Sequence, residues 1–203
     1  MTLESLLIEH IPLALPLAIS IEEAFTRIGR GCPHLQVLCV AESAHITSGC
    51  LTAIIKHCPR LRAIRGSCLG ALSDSFLEVL GSNDPETIQD LDLSLCPRLS
   101  PDALEQTIPK LTSLRRLNLS WNPGVTDDVV ELALESAPHL EMLSIQACPG
   151  VRGGAILHGV RQRLKLGHRD LRLNIASNPQ ISSDAVTTLK ALLGRASVQA
   201  QIQ

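Results

Sequence analysis

Aromatic residues are almost missing from this chain of 203 residues: two Phe, one Trp and no Tyr, or 1% of the sequence. An irregular globular core draws on several aromatics because each buries a large area. Yet 45% of the residues are hydrophobic, too many for a disordered chain. The expected core is stacked Leu, Ile, Val, Ala and Cys, which is a repetitive architecture. A strong charge is lacking too. The net charge of -2 and the pI of about 6.4 provide no basic field for phosphate backbones, so nucleic acid is expected only within a larger particle.

Long apolar runs are also scarce. The stretch from Ile11 to Ile21 is too short to cross a bilayer, and Pro12 and Pro16 interrupt it. Glu4 and Glu9 precede it, where a secretion signal would carry positive charge. Together with Glu22 and Glu23 they also argue against a mitochondrial transit peptide. Seven cysteines, an odd number without a secretion signal, read as reduced thiols. The expectation is a soluble cytoplasmic protein with no membrane partner, a nuclear or a cytoskeletal and ciliary location being the alternatives. No P-loop, HExxH, GxSxG or dinucleotide glycine pattern occurs. Neither an enzyme, a cofactor nor a small-molecule substrate is therefore expected.

What the chain does have is a repeat. Leu-x-x-Leu-x-Leu recurs as Leu35-x-x-Leu38-x-Val40, Leu61-x-x-Ile64-x-Gly66, Ile88-x-x-Leu91-x-Leu93, Leu114-x-x-Leu117-x-Leu119 and Leu140-x-x-Leu143-x-Ile145. A weaker copy is Asp170-x-x-Leu173-x-Ile175, and the successive intervals are 26, 27, 26, 26 and 30 residues. Eight positions after each central residue stands another aliphatic (Ile46, Leu72, Leu99, Val125, Val151, Ile181), and five further on a third. Helix-starting residues follow the first of these: Thr47-Ser48, Ser73-Asp74, Ser100-Pro101-Asp102, Thr126-Asp127 and Ser182-Ser183-Asp184. Arg152 breaks that pattern. Each unit thus predicts a short strand, a turn and a helix of about three turns. The units stack into an α/β solenoid of about six repeats, parallel sheet on the concave face and helices on the convex one. Residues 32–195 form this domain, residues 1–31 a degenerate first repeat or cap (Leu3-x-x-Leu6-x-Ile8 as its strand), and residues 196–203 a loose tail.

Units such as HCPRLRAIRGSCLGALSDSFLEVL and SAPHLEMLSIQACPGV resemble the cysteine-containing class of leucine-rich repeats. That class is common in F-box/leucine-rich-repeat proteins and in relatives of the yeast antagonist of mitotic exit. The resemblance covers roughly residues 32–195. It implies a protein–protein interaction scaffold or adaptor, such as a substrate-recognition module of a ubiquitin-ligase-type pathway. The first 31 residues are too few for an F-box and lack its Trp-bearing helical pattern. The alternative is a structural subunit of a large assembly, a ciliary axoneme or a ribosome-like particle.

The cysteines and histidines follow the repeat rather than a metal-ligand spacing. Cys39, His45, Cys50, His57, Cys58 and Cys68 include no C-x-x-C or H-x-x-x-H pair, so no metal is expected. Cys32 and Cys58 share a helix-end position. Cys96 and Cys148 share another with Asn122 and Asn178, which the resemblance implies turns inward to hydrogen-bond the turn backbone. Residues between the repeated leucines face the other side of the strand. The candidate partner-binding face is therefore Arg65, Asp90, Asp92, Arg116, Asn118, Trp121, Met142 and Arg172. Its charges could pair among themselves or meet a polar partner, and Trp121 could pack on neighbouring turns or serve as an anchor. The long fifth unit carries a second candidate, a basic insertion of Arg161, Arg163, Lys165 and Arg169, read as a surface loop.

Overall fold

The computed structural model describes residues 3–9, 19–43, 45–83, 85–194 and 197–200. Among these residues eight strands form one sheet in strict chain order, every neighbouring pair parallel. They are β1 (Ser5–Glu9), β2 (Val37–Ala41), β3 (Ala63–Ser67), β4 (Asp90–Asp92), β5 (Arg116–Asn118), β6 (Met142–Ser144), β7 (Arg172–Asn174) and β8 (Val198–Gln199). Among the described residues seven α-helices pack behind them: α1 (Ile21–Gly31), α2 (Ser48–His57), α3 (Asp74–Leu80), α4 (Pro101–Thr107), α5 (Asp127–Ser136), α6 (Gly154–Lys165) and α7 (Ser183–Leu193). Adjacent helices touch from α1 to α7. Among the described residues no helix is long and apolar enough to cross a membrane.

Register follows from the hydrophobic pattern. Leu38, Ile64, Leu91, Leu117, Leu143 and Leu173 pair across successive strands, and all six are buried. A slip of one residue would turn that whole row to solvent. Phe25 and Phe76 are the only aromatics in the core among the described residues; aliphatic layers form the rest.

The helix starts use the residues that the repeat places there. Ser20, Ser100, Thr126 and Ser182 each accept an N–H three residues on. Thr47 and Ser73 occupy the same position without that bond. At α6 the cap is Gly153, held at φ 91° where Arg152 interrupts the pattern. The helix ends are tied by a ladder of donors from the following unit. Cys58 Sγ donates to Cys32 O, Asn83 Nδ2 to Ile55 O, Thr107 Oγ1 to Leu77 O and Arg163 to Leu134 O and Ala137 O. Carbonyls at each helix C-terminus, where partners within the helix run out, thereby gain a donor from the next repeat.

Three expectations need correction. Within residues 196–203, Val198–Gln199 is not loose but pairs with β7, and Val198 is buried; residues 196 and 201–203 lie outside the described residues. The last repeat begins one residue later than the pattern suggested. Leu171 is buried and Asp170 exposed, because an aliphatic rather than a carboxylate must fill the core position. The long fifth unit does not bulge as a loop either. Its extra length goes into α6, at 12 residues the longest helix, and a turn at Leu166–Gly167.

Candidate partner-binding face

The outward rows of the sheet are continuous. Val37, Ala63, Asp90, Arg116, Met142 and Arg172 pair in one row. Leu7, Cys39, Arg65, Asp92, Asn118, Ser144 and Asn174 pair in the next. All eight candidate wall residues therefore stand on this face or, for Trp121, on its rim.

The charges on the wall do pair. Asp90 Oδ2 accepts from Arg65 at 2.6 Å and from Arg116 Nε at 3.2 Å. The carboxylate is nearly buried while each guanidinium stays about half exposed. Its hydrogen bond and charge raise the Arg65 pKa further. Asp92 accepts from Asn118 Nδ2 at 2.9 Å and from the hydroxyl and backbone N–H of Ser94. Arg172 is exposed and has no ion pair among the described residues.

Above the strands each repeat turns through one left-handed residue. Glu42, Cys68, Leu95, Trp121, Ala147 and Ser177 have φ between 52° and 64°. The turn fixes this conformation: their backbone N–H groups continue the ladder, as Leu95 N donates to Ser120 O and Trp121 N to Gln146 O. The conformation is costly for a bulky side chain. Nevertheless Leu95 and Trp121 occupy it on adjacent turns, 43% and 50% exposed. Trp121 is thus not buried over the neighbouring turns. Met142 and Leu7 add apolar surface on the wall itself, 40% and 65% exposed. Leu7 was not singled out from the sequence, although the alternation Leu6-Leu7-Ile8 points it outward.

Below each turn the chain is held from inside. Asn122 and Asn178 each donate to two carbonyls and accept the N–H of Cys96 or Cys148. Cys96 and Cys148 send their thiols to Gly66 O and Leu119 O. Burial pushes the Cys96 thiol up to about 12, and burial with the neighbouring Cys32 pushes Cys58 up to about 11. Thiols so placed stay protonated at neutral pH.

The basic insertion does not form one patch. Arg161, Lys165 and Arg169 are exposed, but Arg163 is only 5% exposed. Its guanidinium donates to the carbonyls of Leu134, Ala137, Pro138 and Leu140, between 2.7 and 3.1 Å. An exposed arginine was expected from the charge pattern. Its helical spacing from Ile156, seven residues and two turns earlier on the same face, was the signal for burial. Elsewhere on the helix layer, Glu131 and Glu135 of α5 approach His158 of α6, with potential ligand atoms within 4.8 Å.

Strand order, register and the repeated turn define a leucine-rich-repeat solenoid with a polar strand wall edged by exposed apolar turns. No family model matches the chain, and no curated protein is significantly similar. Among solved structures it is similar to a chain of the yeast Rad7 and Elc1 complex, at 15% identity and a TM-score of 0.46, over 87% of this chain and 59% of that one. It is also similar to an internalin from Listeria monocytogenes, at 14% identity and a TM-score of 0.48, over 88% of this chain and 50% of that one. The chain thus spans 50–59% of the length of these solved chains.

Proposed function

We propose that this chain is a non-catalytic protein-interaction scaffold that receives its partner on the strand wall. One observation carries the reading. Of the six large apolar side chains exposed among the described residues, Leu7, Leu95, Trp121 and Met142 lie on that wall or its rim. Apolar surface gathered on one face marks an interaction site, and Trp is the residue most favoured at its centre. Leu95 and Trp121 stand exposed on adjacent turns, at the left-handed position that six turns share, along the rim of the wall. The raised thiol pKa values of Cys58 and Cys96 support the non-catalytic reading, because neither offers a thiolate at neutral pH.

The finer assignment is the cysteine-containing repeat class. It is supported by Cys32 and Cys58 at helix ends and by Cys96 and Cys148 in the turn slots. That resemblance supports a recognition role in a ubiquitin-ligase-type pathway, and the seven free cysteines support a cytoplasmic location. Affinity capture from cell extract tests the scaffold reading, comparing wild type with the Trp121→Ala, Arg116→Glu double variant. The expected result is a discrete partner recovered by wild type and lost by a variant whose circular dichroism is unchanged. Recovery of the same partner by both would remove the wall from the reading.

A further inference from the structure

Arg116, Met142 and Arg172 form one register row across β5, β6 and β7, an exposed apolar side chain between two guanidiniums. Strands lie about 4.8 Å apart, so the two arginines are anchored about 10 Å from one another. Neither cation is fully used by the fold. Arg116 meets Asp90 through Nε, which leaves its two NH2 groups outside that pair, and Arg172 has no ion pair among the described residues. The carboxylates of the neighbouring strands are engaged, Asp90 by Arg65 and Arg116, Asp92 by Asn118 and Ser94, and Glu141 by Arg115, whereas Asp170, two residues before Arg172, is exposed and makes no ion pair among the described residues. Spare positive charge therefore brackets an apolar spot, with Trp121 on the rim above Arg116.

We propose that β5–β7 bind an acidic amphipathic helix of a partner protein, laid across the strands. An apolar side chain of that helix would cover Met142, and a carboxylate on each side would reach Arg116 and Arg172. Residues i and i+7 of a helix are about 10 Å apart on one face, with i+3 or i+4 between them. That spacing matches the row. In an extended segment, same-face residues two and four apart fall at about 7 and 13 Å and miss one arginine or the other. The open wall, with exposed Met142 between its two arginines, favours a polypeptide over a nucleic acid, and the chain's net charge of -2 agrees.

This inference rests on the scaffold reading, and one experiment separates the two. A library of helical peptides, randomised at i, i+4 and i+7, is panned on the folded chain and on Arg172→Glu, a residue without an ion pair to disturb. The expected winners carry Asp or Glu at the ends and Leu, Met or Phe in the middle. They should bind Arg172→Glu at least tenfold more weakly, and panning on that variant should enrich Lys or Arg at one end. Winners without acidic residues that Trp121→Asn nevertheless displaces would overturn the acidic helix and leave the scaffold standing. Winners indifferent to every wall substitution would overturn both. No enrichment, or a 20-residue oligouridylate that binds the wall in preference to all peptides, would overturn the acidic helix.

Discussion

Asn122 Oδ1 accepts the backbone N–H of Cys96 at 2.7 Å, fastening the turn of one repeat to the turn of the one before it. Its Nδ2 donates in the same stroke to Leu93 O and Leu119 O, at 2.7 and 3.0 Å. One fully buried side chain thus satisfies three backbone groups in two repeats.

Asn122→Ala is expected to destabilise the fold by about 2–4 kcal/mol, because buried backbone groups lose their partners. Asn122→Cys should recover a good part of that, since Cys96 and Cys148 fill equivalent slots and bond the same class of carbonyl. Urea denaturation at neutral pH compares the three chains. Equal losses for Ala and Cys would show that volume, not hydrogen bonding, matters at this site.

Arg163 has a comparable task at the end of α5. Its guanidinium serves four carbonyls without a carboxylate beside it, and burial lowers its pKa. Arg163→Ala should cost about 2–4 kcal/mol through unpaired carbonyls and lost packing. Arg163→Lys should recover little, because an ammonium cannot fan its donors over four carbonyls in a plane. Amide hydrogen exchange should show the loss first between Leu134 and Leu140. Uniform loss over all repeats would contradict a local clamp.

The buried thiols give the fold a dependence on alkaline pH. Cys58 and Cys96 have pKa values raised from 9.0 to about 11 and about 12. The folded state therefore prefers the protonated thiol. That contribution is complete below pH 9 and is lost as pH rises from 9 towards the folded values. The urea midpoint should hold to about pH 9 and fall by about pH 10.5. At about pH 8 the partly exposed Cys32, Cys39 and Cys68 should react with Ellman's reagent before the buried thiols do. A flat midpoint over that window would refute the linkage.

Trp121 separates binding from stability. Its φ of 64° suits Asn better than Trp, and half its surface is exposed. Trp121→Asn should change stability by less than about 1 kcal/mol while weakening partner binding at least tenfold. Thermal unfolding and partner titration on the same preparation check both halves. A large loss of stability would make Trp121 a packing residue instead.

The repeat, its register and its helix starts were legible because each rests on residues that recur at a fixed interval. The 26-residue spacing places Leu38, Ile64 and Leu91 in one row without any coordinates, and the alternation then places Arg65, Asp92 and Met142 on the other face. What could not be read were the departures from the period. Leu171 takes over the position where the pattern points to Asp170, and the charge of Arg163 masks a place on the buried face of α6 that only its spacing from Ile156 betrays. Strand β8 is only two residues long, too short to show an alternation. The pairing of Asp90 with two arginines depends on which strands are neighbours, and neither reading of those charges could be chosen beforehand.

From the fourth strand on, the turn slot alternates: Cys96, Asn122, Cys148, Asn178. Both residue types reach back to the preceding unit's carbonyl, at Gly66, Leu93, Leu119 and Ile145 in turn. The joints are not identical, because only the asparagines also accept the N–H of the slot before them, Cys96 or Cys148. In evolutionary terms a cysteine unit with the asparagine unit after it is the smallest block whose loss or duplication leaves every one of these seams unchanged.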